Sequence, residues 1–398
     1  MGSSGNNGWD VLTDEGPTSF RITSEMMRKA FVNVKRNRGA AGIDRISIDM
    51  FEANLEKNLA ALMHDLKKGT FTPLPLRRVY IPKDSKQLRP LGIPTVRDRV
   101  AQDVLRQLLD PLFTPTFSDC SFGFIKGRNC HQAIEQLLEF KTSGLKWVVD
   151  ADIKGFFDEI PHDLIIRLVS RTVADGNILK LLERFLKSGV MENGKRLPTT
   201  KGTPQGGLIS PLLANIVLHE LDTELTRSGF RFVRYADDFV VVCPDRASAE
   251  QALVLVKAVV QDSMGLQLHP TKTKICSFGQ GFEFLGFRIS SHGVSMRQKA
   301  VEKFRQRIRE LTVRSHNLDA DAIAKLNRVI RGTVNYFGPA FATVKTQFQQ
   351  LDRFIRNRIR SMKYKRIWKT DRRRLRNKHI ERLGLLACQQ LQILRRIT

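Results

Sequence analysis

The sequence predicts an α+β protein in which a mixed unit of helices and antiparallel strands is followed by an all-helical, strongly basic region. Three observations carry this. Trp147-Val148-Val149-Asp150-Ala151-Asp152-Ile153 is a short apolar run with carboxylates at its far end, the pattern of a buried strand reaching a site. Phe230 to Tyr235 and Phe239 to Val242 are β-rich and flank Ala236-Asp237-Asp238, as the arms of a hairpin would. After residue 296 strand signals cease, and apolar positions recur at helical spacing over 301–314, 320–336 and 344–366.

The remaining elements follow in order. Helical spacing over 25–36 and 50–68 brackets the turn-rich Gly39-Ala40-Ala41-Gly42-Ile43-Asp44. From Val79 the pattern becomes strand, Pro-rich loop and then a helix from Val96 to Leu109. The stretch from Pro204 to Asp222 opens with Gly and Pro and continues as a helix through Leu212, Leu213, Ile216, Val217 and Leu221. A helix over roughly 247–264 and a strand pair over roughly 281–290 complete the mixed unit. Segments 1–70, 71–145, 146–295, 296–370 and a basic tail, 371–398, are the expected divisions.

A chain of 398 residues is too long for one ordinary core, and its 41% hydrophobic content is that of a globular protein. Lysine and arginine number 66 against 40 acidic residues, a formal charge of +26, which calls for a polyanionic partner. Residues 301–398 alone hold 25 basic against 7 acidic residues, a surplus of 18 that suits phosphate backbone. Neither a membrane span nor a signal peptide is indicated, so a cytosolic protein with no membrane partner is expected. Five scattered cysteines without a C-x-x-C pair argue against structural zinc or a disulfide framework.

Asp152 at a strand end, with Asp237 and Asp238 at a hairpin tip, would supply hard oxygen ligands for two divalent cations if these elements share one sheet. An Asp-Asp pair in a turn is, by itself, ordinary turn chemistry. Tyr235-Ala236-Asp237-Asp238 between apolar strands, however, resembles the signature block of reverse transcriptases. Asp152-Ile153-Lys154-Gly155-Phe156-Phe157-Asp158 resembles the first catalytic block of the group II intron branch, and Gly202-Thr203-Pro204-Gln205-Gly206-Gly207 with Ser210-Pro211 its nucleotide-binding block. Gly39 to Asp44 resembles that branch's N-terminal extension loop. Asn327-Arg328-Val329-Ile330-Arg331-Gly332 with Asn335-Tyr336-Phe337 resembles the start of its thumb, or maturase, domain, although Thr333 stands where tryptophan is usual.

The resemblance implies a right-hand polymerase, with fingers over 71–145, a palm with an antiparallel sheet over 146–295 and a helical thumb over 296–370. It implies RNA-directed DNA polymerase activity with Mg²⁺, two ions, Mn²⁺ being a substitute. Asp152, Asp237 and Asp238 would be catalytic, with Ile153 beside them at the metal and dNTP site. Lys83 and Arg89, in Ile81-Pro82-Lys83 and Leu88-Arg89-Pro90-Leu91-Gly92-Ile93-Pro94, would grip the triphosphate. Phe157 would pack on the deoxyribose, with Gln205 beside the nucleotide and Lys272, in Leu266 to Lys274, a further dNTP contact; His269 stands where asparagine is common. Primer and template would meet Tyr235, Gly286 of Phe284-Leu285-Gly286-Phe287, Arg128, Arg353, Arg356 and Arg360. Ser121-Phe122-Gly123-Phe124 and Gly127-Arg128 continue the pattern, but Ile125-Lys126 replaces the usual Arg-Pro.

The implied partners are an RNA template, a DNA or RNA primer, dNTPs, a group II intron RNA and its DNA target. The lack of a C-terminal cysteine and histidine cluster implies that the endonuclease domain of some relatives is missing. Two other readings stay open at this point. One is an RNA-binding splicing factor with no need of the polymerase site; the other is a domesticated enzyme of defence, CRISPR adaptation or repair. Thr203-Pro204-Gln205-Gly206 argues against the diversity-generating branch, and no Val-Thr-Gly of the retron type follows the thumb start.

Overall fold

The computed structural model describes residues 22–82, 88–203, 206–366, 368 and 370–397. The chain opens with α1 (Ser24–Arg36), capped where the Thr23 hydroxyl accepts the Met26 N–H, and it buries Met27, Ala30, Phe31 and Val34 along one face. The apolar run read as one helix over 50–68 is two, α2 (Ile48–Glu52) and α3 (Leu55–Lys67). Asn54, a residue that favours non-helical backbone, breaks it with φ −126° and ψ 42°. A hairpin, β1 (Leu76–Pro82) and β2 (Leu88–Ile93), leads to α4 (Val96–Phe113), then α5 (Cys130–Thr142) and β3 (Trp147–Asp152). Three helices follow, α6 (Phe156–Glu159), α7 (His162–Ser170) and α8 (Gly176–Leu186), and two short strands, β4 (Val190–Glu192) and β5 (Lys195–Leu197).

Next come α9 (Ser210–Arg227), the hairpin β6 (Arg231–Tyr235) and β7 (Asp238–Cys243), α10 (Arg246–Lys257) with a π-helical extension to Ser263, and β8 (Lys274–Ser277). The strand pair expected near 281–290 is a three-stranded meander, β9 (Phe282–Phe284), β10 (Phe287–Ser290) and β11 (Gly293–Met296). The chain ends in helices α11 (Gln298–Leu311), α12 (Ala320–Phe337), α13 (Lys345–Tyr364), α14 (Asp371–Arg374), α15 (Asn377–Arg382) and α16 (Cys388–Ile397). Among the described residues no helix is long and apolar enough to cross a membrane.

These elements form two compact units. The first takes in residues up to Ser118, 154–221 and 259–267. Its sheet has the order β2-β1-β4-β5, antiparallel except where β1 runs parallel to β4. The second takes in 119–153, 222–258 and 268–398. It holds the antiparallel sheet β6-β7-β3-β8, which shares an apolar core with the meander and α5 through Ile134, Val148, Val240, Phe282 and Phe287. The terminal helices of this unit pack about Phe304, Leu326, Ile330, Phe348, Leu351 and Ile355. The stretch from 371 onward is not a tail: Leu375, Ile380 and Cys388 are buried in that helical core, and Asp352 on α13 caps α16 by accepting the Cys388 and Gln389 N–H groups.

One buried ion pair anchors the centre of the second unit. Arg234 on β6 and Asp222 on α9 have side chains 0% and 1% exposed. The guanidinium donates from Nε to Oδ1 at 2.7 Å and from Nη2 to Oδ2, while Nη1 donates to the Ala236 carbonyl at 3.1 Å. Its backbone is engaged as well, its N–H donating to Cys120 and its carbonyl accepting from Phe122. Asp222→Ala would leave a buried, uncompensated cation, and a loss of about 3–5 kcal/mol in urea unfolding is expected. Asp222→Leu combined with Arg234→Met should be markedly less damaging than Asp222→Ala, because neither charge then remains.

Candidate active site

β3 lies between β7 and β8, so whatever β3 carries at its end faces both neighbours. Asp152 stands directly opposite Asp238 across the β3–β7 pair. Residues opposite one another share a face, and so do residues two apart on a strand. Asp150, Asp152 and Asp238 therefore line one face, with Asp237 in the two-residue tip between Tyr235 and Asp238. Sequence reasoning assigned Asp150 no role, although its spacing of two from Asp152 is the signal that places it there.

The tip itself is an unusual turn. Ala236 has φ 57°, in the left-handed region that L-residues avoid. It is held by the Arg234 guanidinium from one side and by Gly123 from another, where a Cβ would lie 2.2 Å from the Ala236 nitrogen. Ser121-Phe122-Gly123-Phe124 thus earns a physical reason: a backbone-only residue must sit under the aspartate turn.

The second side of β3 supplies cations. Lys272 Nζ lies 2.9 Å from Asp152 Oδ2, and Lys274, opposite Asp150 on β8, lies 3.6 Å from Asp150 Oδ2. The Asp152 carbonyl accepts the His269 N–H at 2.7 Å, and Ile153, buried, bridges to Leu268. Burial pushes the Asp150 carboxyl up to about 6, Asp152 and Glu283 adding to the effect and Lys274 opposing it. The Asp238 carboxyl is pushed up to about 7, first by loss of water and then by Asp150, Asp237 and Asp152, while the backbone N–H of Leu285 pulls the other way. Asp238 is nevertheless exposed as a residue, so solvent tempers the shift.

The donors of such a cluster are carboxylate oxygens, the ligands hard divalent cations take. Among the described residues, no three His, Cys, Asp or Glu side chains stand closely enough together to hold a metal ion. Open sets completed by substrate phosphates are the usual arrangement for Mg²⁺, so the residues present fit in chemistry.

The other expected site residues fall in several places. Tyr235 is half-buried at the end of β6. Gly286, with φ 82°, lies over the rings of Phe337 and Tyr336, where a Cβ would find carbons 3.6–3.7 Å away. The Arg128 guanidinium is turned onto its own loop, donating to the Ser121 carbonyl at 2.7 Å and Asp119 at 2.9 Å. In the first unit, Arg89 is exposed on β2, and Phe157, half-buried, accepts the Thr203 N–H with its carbonyl at 2.7 Å. Gly206 comes so close to β2 that a Cβ there would lie 2.5 Å from the Gly92 carbonyl oxygen. That unit thereby gathers Phe157, the Gly202 to Gly207 block and the strand of Arg89; Lys83 and Gln205 lie outside the described residues.

A cavity of about 760 Å³ opens between α13 and the segments of α14 and α15, lined by Arg353, Arg356, Arg360, Arg372, Arg376 and Lys378. Among the described residues no carboxylate is within ion-pair distance of Arg353, Arg372, Arg376 or Lys378. Arg360 differs from them. It is buried, and it donates to the Leu375 carbonyl at 3.0 Å, Asn377 at 2.7 Å and Asn357 at 3.4 Å, pinning the start of α15 to α13.

The family model described as reverse transcriptase (RNA-dependent DNA polymerase) matches residues 81–289, more than half of the chain. The chain belongs to the reverse transcriptase family. A second model, the group II intron maturase-specific domain, matches residues 301–383 of this reverse transcriptase. Among curated relatives, the group II intron-encoded protein LtrA of Lactococcus lactis is 30% identical over 84% of this chain and 71% of its own. Protein YkfC of Escherichia coli K12 is 33% identical over 62% of this chain and 75% of its own. Among solved structures, a Candida albicans telomerase shares 14% identity and a TM-score of 0.43, over 78% of this chain and 63% of that one, too loose a likeness to carry weight. The protein is an RNA-directed DNA polymerase of the group II intron type, and such enzymes use divalent metal ions.

The two kinds of arginine around the cavity of this reverse transcriptase should separate by experiment. Arg360→Ala is expected to lower the melting temperature by several degrees, since it unpins α15. Arg353→Ala should leave melting unchanged and reduce the slope of log affinity for RNA against log salt by about 1.

Proposed function

We propose that Asp152, Asp237 and Asp238 hold the two metal ions of nucleotidyl transfer, Mg²⁺ by preference with Mn²⁺ as substitute, and that a DNA or RNA primer is extended there on an RNA template. The observation that carries this reading is the register of β3 on β7, with Asp152 facing Asp238 beside a tip that holds Asp237. Bound there, the ions would activate the primer hydroxyl and offset charge on the triphosphate.

The chain's own residues do the rest. Lys272 is paired with Asp152 and shields part of the repulsion until substrate arrives, when it is free to exchange that carboxylate for a phosphate oxygen. Arg89 and Lys83 take the triphosphate, Phe157 faces the sugar, Gln205 and the Ile153 backbone lie against the nucleotide, and Tyr235 and Gly286 support the primer end. Arg353, Arg356 and the cations beside them bind RNA backbone, Arg360 supporting this surface where it pins α15, and Arg128 meets primer or template beside the loop it holds. The divisions into extension, fingers, palm and thumb follow the same reading.

The enzyme also serves as a maturase: it binds its intron RNA for splicing and meets the DNA target in retrohoming, in the bacterial cytosol or nucleoid. The unpaired cations round the 760 Å³ cavity favour this second role, because they lie on helices of the segment matched to the maturase-specific domain.

Asp237→Asn should abolish Mg²⁺-dependent extension of a DNA primer on RNA while RNA retention on a filter stays at the wild-type level. Wild-type extension would overturn the assignment of the carboxylates. A raised Asp238 pKa means that a proton is still held at pH values where an ordinary carboxyl is ionised, and that proton competes with the metal. At limiting Mg²⁺, the rate should therefore fall as pH drops through about 7. Raising Mg²⁺ should move the midpoint lower, and so should Asp150→Asn, which deletes one of the charges that lift Asp238.

A further inference from the structure

The cavity beside α13 is built differently from a surface that follows a nucleic-acid backbone. Arg353, Arg356 and Arg360 stand three and four residues apart, on one face of α13. The other cations of the lining, Arg372, Arg376 and Lys378, come from a separate stretch of chain that Arg360 pins beside that helix. Positive charge thus converges on one space from two elements, where a track for a strand would lay it out along a line.

The rest of the lining points to the same chemistry. Among the described residues that line the cavity there is no carboxylate, no aromatic ring and no apolar side chain. Its two asparagines, Asn357 and Asn377, turn their amide oxygens onto the Arg360 guanidinium, at 3.4 and 2.7 Å, so each keeps its N–H donors to offer. The side chains of the lining therefore present cations and donors to a ligand made of acceptors. The Arg360 pKa is lowered first by burial and then by Arg356 and Arg372, so these positive fields already overlap.

Size decides which acceptor enters. At about 760 Å³ the space has the volume of a small-ligand site, too small for a duplex. A single strand held by its bases would call for aromatic platforms. The exposed Trp368 does not line the cavity, and Arg366 lies over its ring at 4.2 Å. What remains is phosphate without bases around it, and that is found at the end of a strand. A 5′-triphosphate sets contiguous phosphates one oxygen apart, a concentration of charge that no internal phosphodiester reaches, and forked guanidiniums suit its oxygens.

We infer that this cavity is a receptor for the 5′-triphosphate end of an RNA strand. The inference rests on the proposed reading of these cations as RNA-phosphate contacts, and adds which part of the RNA they grip. A strand keeps this group from its first nucleotide until it is cut, so the site would tell an unprocessed transcript from a cleaved one.

The test is filter retention of one RNA oligonucleotide prepared with a 5′-triphosphate, a 5′-monophosphate or a 5′-hydroxyl. The full chain is used without divalent metal, so that a triphosphate gains no metal ion at the aspartates. The triphosphate form is expected to bind at least about tenfold more tightly than the hydroxyl form, with the monophosphate between them. Saturating inorganic tripolyphosphate should remove that difference. Arg372→Gln combined with Arg376→Gln should remove it too, while changing melting by less than about 2 °C, since neither guanidinium holds the fold together.

Equal affinity of wild type for the three ends would overturn the inference. If tripolyphosphate still raised the melting temperature of wild type and not of the double variant, the cavity would belong to a free polyphosphate instead. A preference that survives the double substitution would place end recognition elsewhere and overturn it as well. If the double variant weakens all three forms equally, the backbone reading stands and end recognition alone is lost. If it weakens none, the RNA reading of the cavity falls and the inference with it.

Discussion

The Arg234–Asp222 pair is the constraint on which the aspartate-bearing sheet depends. Removing a guanidinium and a carboxylate from water costs on the order of several kcal/mol per ion, and an apolar pair of the same volume would often be no less stable. What an apolar pair could not do is donate a third bond to the Ala236 carbonyl. That bond reaches into the turn whose left-handed alanine sets where Asp237 and Asp238 emerge. The same residue pairs through its backbone with Cys120 and Phe122, so the loop carrying Gly123 is drawn over β6, a strand at the edge of its sheet. Helix, edge strand, covering loop and strained tip are thereby tied to one residue.

A second tension is electrostatic. The face of β3 and β7 concentrates Asp150, Asp152 and Asp238, and repulsion among them is offset within the fold by Lys272 and Lys274 and by the Leu285 amide. Two lysines, each more than half exposed, screen this charge weakly. The sheet must therefore be stabilised from elsewhere, and the core of Val148, Val240, Phe282 and Phe287 continues the same face away from the carboxylates. Strain and unbalanced charge concentrate at the tip and at the Leu285-Gly286 turn, where substrate would be handled, while the packing that sustains them is ordinary apolar burial.

How much of this was legible in the sequence follows from which interactions are local. β3, the β6–β7 hairpin and α11 to α13 were readable because their apolar periodicity is their own property. The three-residue strands β4 and β5 were not, since β4 is fixed by pairing with distant β1, β5 pairs with β4, and runs so short leave no alternation to read. Asp152, Asp237 and Asp238 stood out as motif residues. Asp150 and Arg234 did not, because a strand acid and a strand arginine acquire their roles from partners 124 and 12 residues away: Lys274 and Asp222. Gly123 belongs with them, its need for a missing side chain becoming visible only against Ala236.

The basic helices show why a charge count is not a contact count. Residues 301–398 carry a surplus of 18 positive charges, yet a guanidinium committed to a carbonyl inside the fold neutralises no phosphate. Arg360 is spent on Leu375 and Asn377, and Arg358 on the Thr312 carbonyl and hydroxyl, each closing a helix end or loop. Arg305 and Arg309 lie over the Phe354 ring at 5.8 and 5.6 Å, and Arg366 lies 4.2 Å from Trp368. The pKa of Arg360 is depressed by burial and then by Arg356 and Arg372, so the positive fields around the cavity overlap and a bound anion would relieve them. Among the described residues, no side-chain hydrogen bond or ion pair engages Arg353, Arg356, Arg372, Arg376 or Lys378, the cations that line that space.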